Sequence, residues 1–388
     1  MSDHLLLTGA TGLLGRYLLV DLLLENVPVA VLVRRNRRQT AEQRVEAMLQ
    51  ASERQLQRPL PRPTVLAGDI CQKDLGLSDD SLKWISDHCD SVVHNAASLA
   101  FIATNGHDGE PWRSNVEGLK TLLDVSERTG IRDFHHVSTA YVCGDRMGTI
   151  LETDYDSEQT PGNDYEESKI EAERLVRAAD FCSPPTIFRP GIIIGDSQSG
   201  FTTTFHGFYA MLRLAHTLVR SESVTDRNDA NRAKSRLTLT GEEEKNLFPV
   251  DWVSSVMTHV LCNRQFHGQT YHLTPSNPVT VADIQTAIED SLDFHNTVFV
   301  GPDARIEDPT VVELLFYEHL HTYDSYWRND PRFDCRQVEQ VAPHLPCPDV
   351  SPELLLKLAR VAIDMDFRYR DPSPQPASSR PGLASSHV

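Results

Sequence analysis

The stretch His4-Leu5-Leu6-Leu7-Thr8-Gly9-Ala10-Thr11-Gly12-Leu13-Leu14-Gly15 decides how this chain folds. An apolar run breaks at three glycines, and apolar residues then resume at Leu18, Leu19, Leu22 and Leu23, at helical spacing. This reads as a buried strand, a tight turn and a helix. A turn built on Gly9, Gly12 and Gly15 lets backbone N–H groups and a helix start approach a pyrophosphate with no Cβ in the way, and the helix dipole favours the anion. Thr11 and Leu13 belong to the same turn and count with the glycines as expected contacts of a dinucleotide.

The next three strands strengthen that reading. Val29-Ala30-Val31-Leu32-Val33 is a second buried strand, continued by Arg34-Arg35-Asn36-Arg37-Arg38. A site selective for NAD places an acidic residue at this point, to accept from the ribose 2′-OH. A guanidinium pairs bidentately with phosphate, so Arg34, with Arg35 or Arg44 behind it, fits the 2′-phosphate of NADP(H). A third strand from Thr64 ends in Gly68-Asp69-Ile70, with Asp69 and Ile70 expected at the adenine. A fourth, from Ser91, ends in Asn95-Ala96-Ala97, small residues that let the cofactor lie against the strand end. Strands at this interval predict an α/β fold: a Rossmann-type doubly wound parallel sheet with a smaller, mainly helical lobe for the substrate.

The chemistry is carried by three residue types. Tyr165 and Lys169 lie four apart in a segment rich in helix formers, so they share one helical face. A phenol has an unperturbed pKa of about 10 and is a poor acid at neutral pH. A nearby ammonium stabilises the phenolate and makes the phenol a better proton donor to a carbonyl receiving hydride. Thr139 follows a fifth strand, in His136-Val137-Ser138-Thr139-Ala140-Tyr141-Val142, and is placed to donate to the same oxygen.

With these motifs in hand, the chain resembles the extended short-chain dehydrogenases. More narrowly it resembles their thioester reductase branch, which includes fatty acyl-CoA reductases and the terminal reductase domains of carboxylic acid reductases and nonribosomal peptide synthetases. The glycines are spaced GxxGxxG, the variant of that extended type. The resemblance rests on TGATGLLGRYLL at 8–19, VLVRR at 31–35, GDI at 68–70, LGLS at 75–78, HNAA at 94–97 and SNVEG at 114–118. HVSTAYV at 136–142, YEESK at 165–169 and FRPGIIIGDSQSG at 188–200 complete it, so it spans most of residues 4–366. It implies that Thr139, Tyr165 and Lys169 are catalytic, that Lys169 also holds the nicotinamide ribose, that Asn115 steadies the active-site helix, and that Pro190 and Gly191 line the nicotinamide. It also implies reduction of an acyl thioester, on CoA or a carrier protein, to an aldehyde, with a second hydride giving the alcohol. An alcohol or ketone dehydrogenase of the hydroxysteroid or nucleotide-sugar type would use the same catalytic residues. A non-catalytic NADPH-binding regulator is the alternative of a different class, and it has no chemical need for them.

Composition agrees with an enzyme of this kind. At 388 residues and 40% hydrophobic, the chain can bury one large core and carry a second lobe. A formal charge of −18 argues against general nucleic-acid binding. No apolar run reaches the length of a bilayer, and no charged-then-apolar leader precedes the first strand, so a cytoplasmic location without stable membrane insertion is expected. Seven cysteines with no CxxC spacing read as reduced thiols. Sixteen histidines include His135-His136 and the His319/His321 pair, but none has zinc-ligand spacing, so no metal is expected.

The expected division is an NADP-binding domain over 1–200 and a substrate lobe over 201–370, with a return element to the Rossmann core near 247–275. A Pro- and Ser-rich tail over 371–388 is expected to be disordered. Within the lobe, Phe205 to Val219 and Val281 to Leu292 read as helices, and Leu354 to Ile363 as a closing amphipathic helix. Arg220 to Arg236 reads as a mobile loop or lid; the six basic residues between Arg213 and Arg236 (Arg213, Arg220, Arg227, Arg232, Lys234 and Arg236) either belong to a solvated loop or meet an anionic thioester carrier. Pro309 to Leu345, dense in aromatics, reads as a small lobe packed on its own aromatic core, the alternative being that some of its rings wall the acyl tunnel. No adenylation or carrier domain is evident, so activation of the acid is expected to come from another protein.

Overall fold

The computed structural model describes residues 4–155, 159–220, 235–320 and 329–369. Seven parallel strands form the central sheet: β1 (His4–Thr8), β2 (Val29–Val33), β3 (Thr64–Ala67), β4 (Cys89–His94), β5 (Asp133–Val137), β6 (Thr186–Pro190) and β7 (Thr270–Leu273). Their order is β7-β6-β5-β4-β1-β2-β3, with the switch in direction at β1 and β4. Strands covered on both faces read as continuous apolar runs, and all five residues of β2 are buried.

The helices are α1 (Leu13–Leu24), α2 (Ala41–Leu56), α3 (Asp79–His88), α4 (Gly118–Thr129), α5 (Asp164–Ala178), α6 (Phe208–Arg220), α7 (Val250–Cys262), α8 (Val281–Leu292), α9 (Val311–Leu320), α10 (Arg336–Val341) and α11 (Pro352–Asp364). Five starts are closed by a side chain that accepts from the first turn: Thr40 for α2, Ser78 for α3, Asn163 for α5, Thr280 for α8 and Ser351 for α11. Helix α1 begins at Gly12 with no side-chain cap.

Leu247–Pro249 pairs in parallel with Ile192–Ile194, α7 packs on α1, and β7 extends the sheet beside β6 with Leu273 opposite Pro190. Helices α6, α8 and α11 enclose a separate apolar cluster containing Phe208, Leu212, Ile288, Leu355 and Leu358.

Two expectations change. The described part of the aromatic segment does not pack on a core of its own. Arg332–Phe333 pairs with Thr149–Ile150, the Phe333 ring meets Tyr141 and His272 edge-on, and Val338 of α10 joins the core around α1 and α7. Buried Asp330 draws the segment in, because its carboxylate is bound by Tyr141, Lys245 and Asn246. Tyr323, Tyr326 and Trp327 lie outside the described residues. Arg236, expected in a lid, lies in the strand Ser235–Leu237, where its guanidinium pairs with buried Glu313 (Nε–Oε1 2.8 Å). Arg227, Arg232 and Lys234, and the tail over 371–388, lie outside the described residues.

Candidate active site

The site is built where β1 and β4 diverge. Thr8 ties the two strand ends together: its Oγ1 is 2.9 Å from His94 Nδ1 and accepts from the N–H groups of Asn95 and Ala96, each at 3.2 Å. The backbone can approach this closely only without side chains. Gly9 has φ +73°, and a Cβ there would lie 2.7 Å from Ala96 N; a Cβ on Gly15 would lie 2.1 Å from Gly9 O. Gly12 is different, because its Cβ would meet nothing nearer than Gly9 O at 3.4 Å. The protein itself leaves room for a side chain there, and the vacant space belongs to a large cavity. Uncapped N–H groups of α1, a glycine facing the cavity and the dipole of a twelve-residue helix fit a dinucleotide pyrophosphate.

That cavity, about 570 Å³, is lined by Gly9, Thr11, Gly12, Leu13, Arg34, Arg44, Asp69, Ile70, Asn95, Ala96 and Ala97 at one end. Arg44 donates to Arg34 O (2.8 Å) and Thr11 Oγ1 (3.1 Å), which fixes its guanidinium beside the turn. Arg34 is largely exposed, with Nη1 3.8 Å from Asp69 Oδ2. Arg35 is outside this wall. Gly15 is outside it too; its task is the close packing of α1 on the turn.

Thr139, Tyr165, Lys169, Pro190 and Gly191 line the middle of the same cavity. Thr139 Oγ1 donates to Pro190 O (3.3 Å) and lies within hydrogen-bonding reach of the Tyr165 phenol. Lys169 Nζ donates to Val137 O (2.6 Å). Burial holds this ammonium down at about 8, against the pull of the Glu173 carboxylate one helical turn on, and burial also raises the Tyr165 phenol. Asn115 does not line the cavity. It sits in the turn Arg113–Glu117, exchanges hydrogen bonds with the Ser98 backbone (2.7 and 3.0 Å), and donates to Ser168 Oγ of α5 (2.9 Å).

A buried hub behind the site escaped the sequence reading. Glu173 Oε2 accepts from Ser138 Oγ (2.8 Å) and Arg189 Nε (3.1 Å), and Oε1 accepts from Arg189 Nη2 (2.5 Å) and Arg177 Nη2 (2.7 Å). It therefore joins α5 to the residue before Thr139 and the residue before Pro190. The signal was available: Tyr165, Lys169 and Glu173 continue one i, i+4 face.

Beyond Tyr165 the cavity turns apolar, walled by Ile192, Phe208, Met211, Leu247 and Ile284, with Tyr141 and Lys245 set among them. The paired histidines sit on opposite faces of β5: His136 stacks on His94, and His135 meets His267. Among the described residues no group of three His, Cys, Asp or Glu side chains is placed to hold a metal, and no helix is long and apolar enough to cross a membrane. His321 lies outside them.

The chain is similar to several known proteins. A component of the linear gramicidin synthase of Brevibacillus parabrevis is 27% identical over 295 residues, 73% of this chain and 5% of that protein. The chain spans 5 to 27% of the length of the first large synthases and synthetases it resembles. The terminal R domain of the myxalamid PKS-NRPS pathway superposes with a TM-score of 0.72 at 24% identity, over 96% of this chain and 93% of that one. A thiolation-reductase di-domain from an archaeal nonribosomal peptide synthetase gives 0.69 at 16%, over 95% and 76%. Residues 7–257 match the male sterility protein family. The chain therefore belongs to that family, within the thioester reductase-like branch of the extended short-chain dehydrogenases, and is an NAD(P)-binding oxidoreductase.

Proposed function

We propose that the protein reduces an acyl thioester, carried on CoA or on the phosphopantetheine arm of a carrier protein, to an aldehyde, with NADPH as the reductant. The observation that carries this reading is the placing of Thr139, Tyr165 and Lys169 at the junction between a dinucleotide cradle and an apolar compartment of one cavity. The likeness to a synthase and to reductases of assembly-line systems supports a thioester over a simple ketone.

When bound, the reduced nicotinamide supplies the hydride. Thr139 and Tyr165 hold the thioester oxygen; Tyr165 gives it a proton, and the ammonium of Lys169 stabilises the phenolate left behind. The resulting hemithioacetal breaks its C–S bond to release thiol and aldehyde, and a second cycle on the aldehyde gives the alcohol. Pro190 and Gly191 form the nicotinamide wall, and Asn115 acts through Ser168 to keep α5 in place. Arg34 and Arg44 favour the 2′-phosphate of NADPH.

The test is to incubate the protein with NADPH and matched acyl thioesters, ketones and aldehydes, following cofactor oxidation and identifying products. Thioester consumption with release of free thiol is expected. Turnover of ketones alone would replace this reading with that of an alcohol dehydrogenase.

A further inference from the structure

The apolar compartment contains a charge pair that the chemistry at Tyr165 does not use. Lys245 lies in the short strand Glu244–Lys245, which pairs with Val279–Thr280, and its side chain is 6% exposed. Its ammonium meets Asp330, itself 4% exposed, at 3.2 Å. The same carboxylate accepts from Tyr141 Oη (2.7 Å), Asn246 N (3.0 Å) and Asn246 Nδ2 (3.4 Å). Both Lys245 and Tyr141 belong to the cavity wall, beside Leu247 and Phe208.

Burying two opposite charges costs more solvation than their attraction returns in many folds, and apolar residues of similar size would serve the packing as well or better. An apolar wall for a plain hydrocarbon chain needs no such pair. Because the charges of Lys245 and Asp330 cancel, the pair presents ammonium N–H groups without net charge, while the Tyr141 O–H, given to Asp330, helps hold the carboxylate in place; this suits a neutral oxygen and gives no advantage to a carboxylate. Its location adds a second argument. Tyr141 follows Thr139 by two residues in one tight turn, where Thr139 Oγ1 accepts from Tyr141 N (3.3 Å). An oxygen bound at this pair is thereby tied in depth to the hydroxyl that holds the reacting carbonyl.

We propose that Lys245, held by Asp330 and assisted by Tyr141, is a specificity-determining subsite that selects acyl chains bearing a neutral oxygen, a hydroxyl, ketone or amide carbonyl, over plain hydrocarbon chains. This rests on the protein being a thioester reductase. The preference is set at about tenfold, well short of the discrimination reached by sites left wholly unpaired without their substrate oxygen, because Lys245 keeps Asp330 when that oxygen is missing.

The experiment uses the full chain with NADPH and N-acetylcysteamine thioesters of equal length: plain alkanoyl, the same chain with a hydroxyl or ketone moved stepwise along it, and one ending in a carboxylate. At one position the oxygenated chain should show a kcat/KM about tenfold or more above the plain one. Lys245→Met should bring that ratio to within about twofold of unity, as should the paired replacement Lys245→Met with Asp330→Leu, which leaves no uncompensated charge if the single variant folds poorly. Tyr141→Phe should lower the ratio in part. A wild-type ratio near one, a preference for the carboxylate, or a ratio that survives in the variants overturns the proposal. The same chains are also offered as free aldehydes, and their affinities are measured by calorimetry with NADP+ present. If thioesters are not turned over, the thioester reading fails, while the subsite is still decided by the aldehyde or binding ratios.

Discussion

The two ends of the cavity recognise by different means. At the dinucleotide cradle the shape is set by backbone: the uncapped amides of α1, the glycine turn and the ends of β1 and β4. Even Lys169 is held by a main-chain carbonyl, that of Val137. At the substrate end the wall is made of side chains from the strand Ile192–Ile194, from α6 and α8, and from the segment around residue 245, stretches far apart in sequence. Backbone recognition needs one shape and so demands a fixed local motif. Side-chain recognition can be rewritten residue by residue without disturbing the sheet.

The contrast can be broken in four places. The largest effect is expected at Gly15→Ala, where the new methyl would sit 2.1 Å from Gly9 O, so thermal denaturation should show a chain that no longer reaches the native fold. Gly12→Ala, by contrast, should fold with a near-native Tm but bind the dinucleotide weakly, since only a ligand needs that space. Equal damage to folding in both variants would remove the distinction between packing glycine and cradle glycine.

Next is Tyr165→Phe, which keeps the ring and loses the proton donor. Reduction should fall by at least about a hundredfold while NADPH still binds, as read by steady-state kinetics and fluorescence titration. Near-native turnover would place the chemistry elsewhere. Arg34→Ala should then abolish most of a preference for NADPH over NADH of about tenfold, worth roughly 1.4 kcal/mol. Identical affinities for the two cofactors in the wild type would sink the assignment of the arginines.

The smallest effect concerns Lys169. Its neighbours are Tyr165 and Glu173 on α5, His94 on β4 and His136 on β5, and burial holds both histidines neutral. With the ammonium at about 8, kcat/KM should decline as pH rises through that value, and Glu173→Gln should move the decline to lower pH by removing the carboxylate that favours the charge. For stability the sign is opposite. The folded chain binds fewer protons at Lys169 than the unfolded chain between about 8 and the ordinary 10.5, so this group's contribution grows as pH rises through that window. A decline that stays in place in the Gln variant would show that Glu173 acts only as a structural tie.

The same division explains what was legible in the sequence. The strand-turn-helix at 4–24, the arginines after β2 and the Tyr165/Lys169 pair are local patterns whose spacing carries their meaning. Lys245 and Asp330 stand 85 residues apart and touch only after β7 and the lobe are in place, so no spacing announces them. Arg236 was misplaced for a related reason. Its neighbours in sequence are polar and charged, and its partner Glu313 lies 77 residues on.

The route of β7 has a consequence for how the protein comes into being. Its residues are synthesised about 80 positions after those of β6, and until they emerge from the ribosome the edge of β6 has no partner on that side. Leu18, Leu19 and Leu22 of α1 likewise wait for Val253, Val256 and Met257 of α7. A fragment ending near residue 200 is therefore not an autonomous module, however clearly its motifs read. In gene fusions or hybrid enzymes, the workable seam is not a single cut after the glycine turn, the arginines and the catalytic pair. The lobe is not a single insertion either: α6 leaves the sheet between Ile192–Ile194 and Leu247–Pro249, which pair side by side, whereas α8 and α11 follow β7, so a hybrid that exchanges the lobe must exchange both stretches.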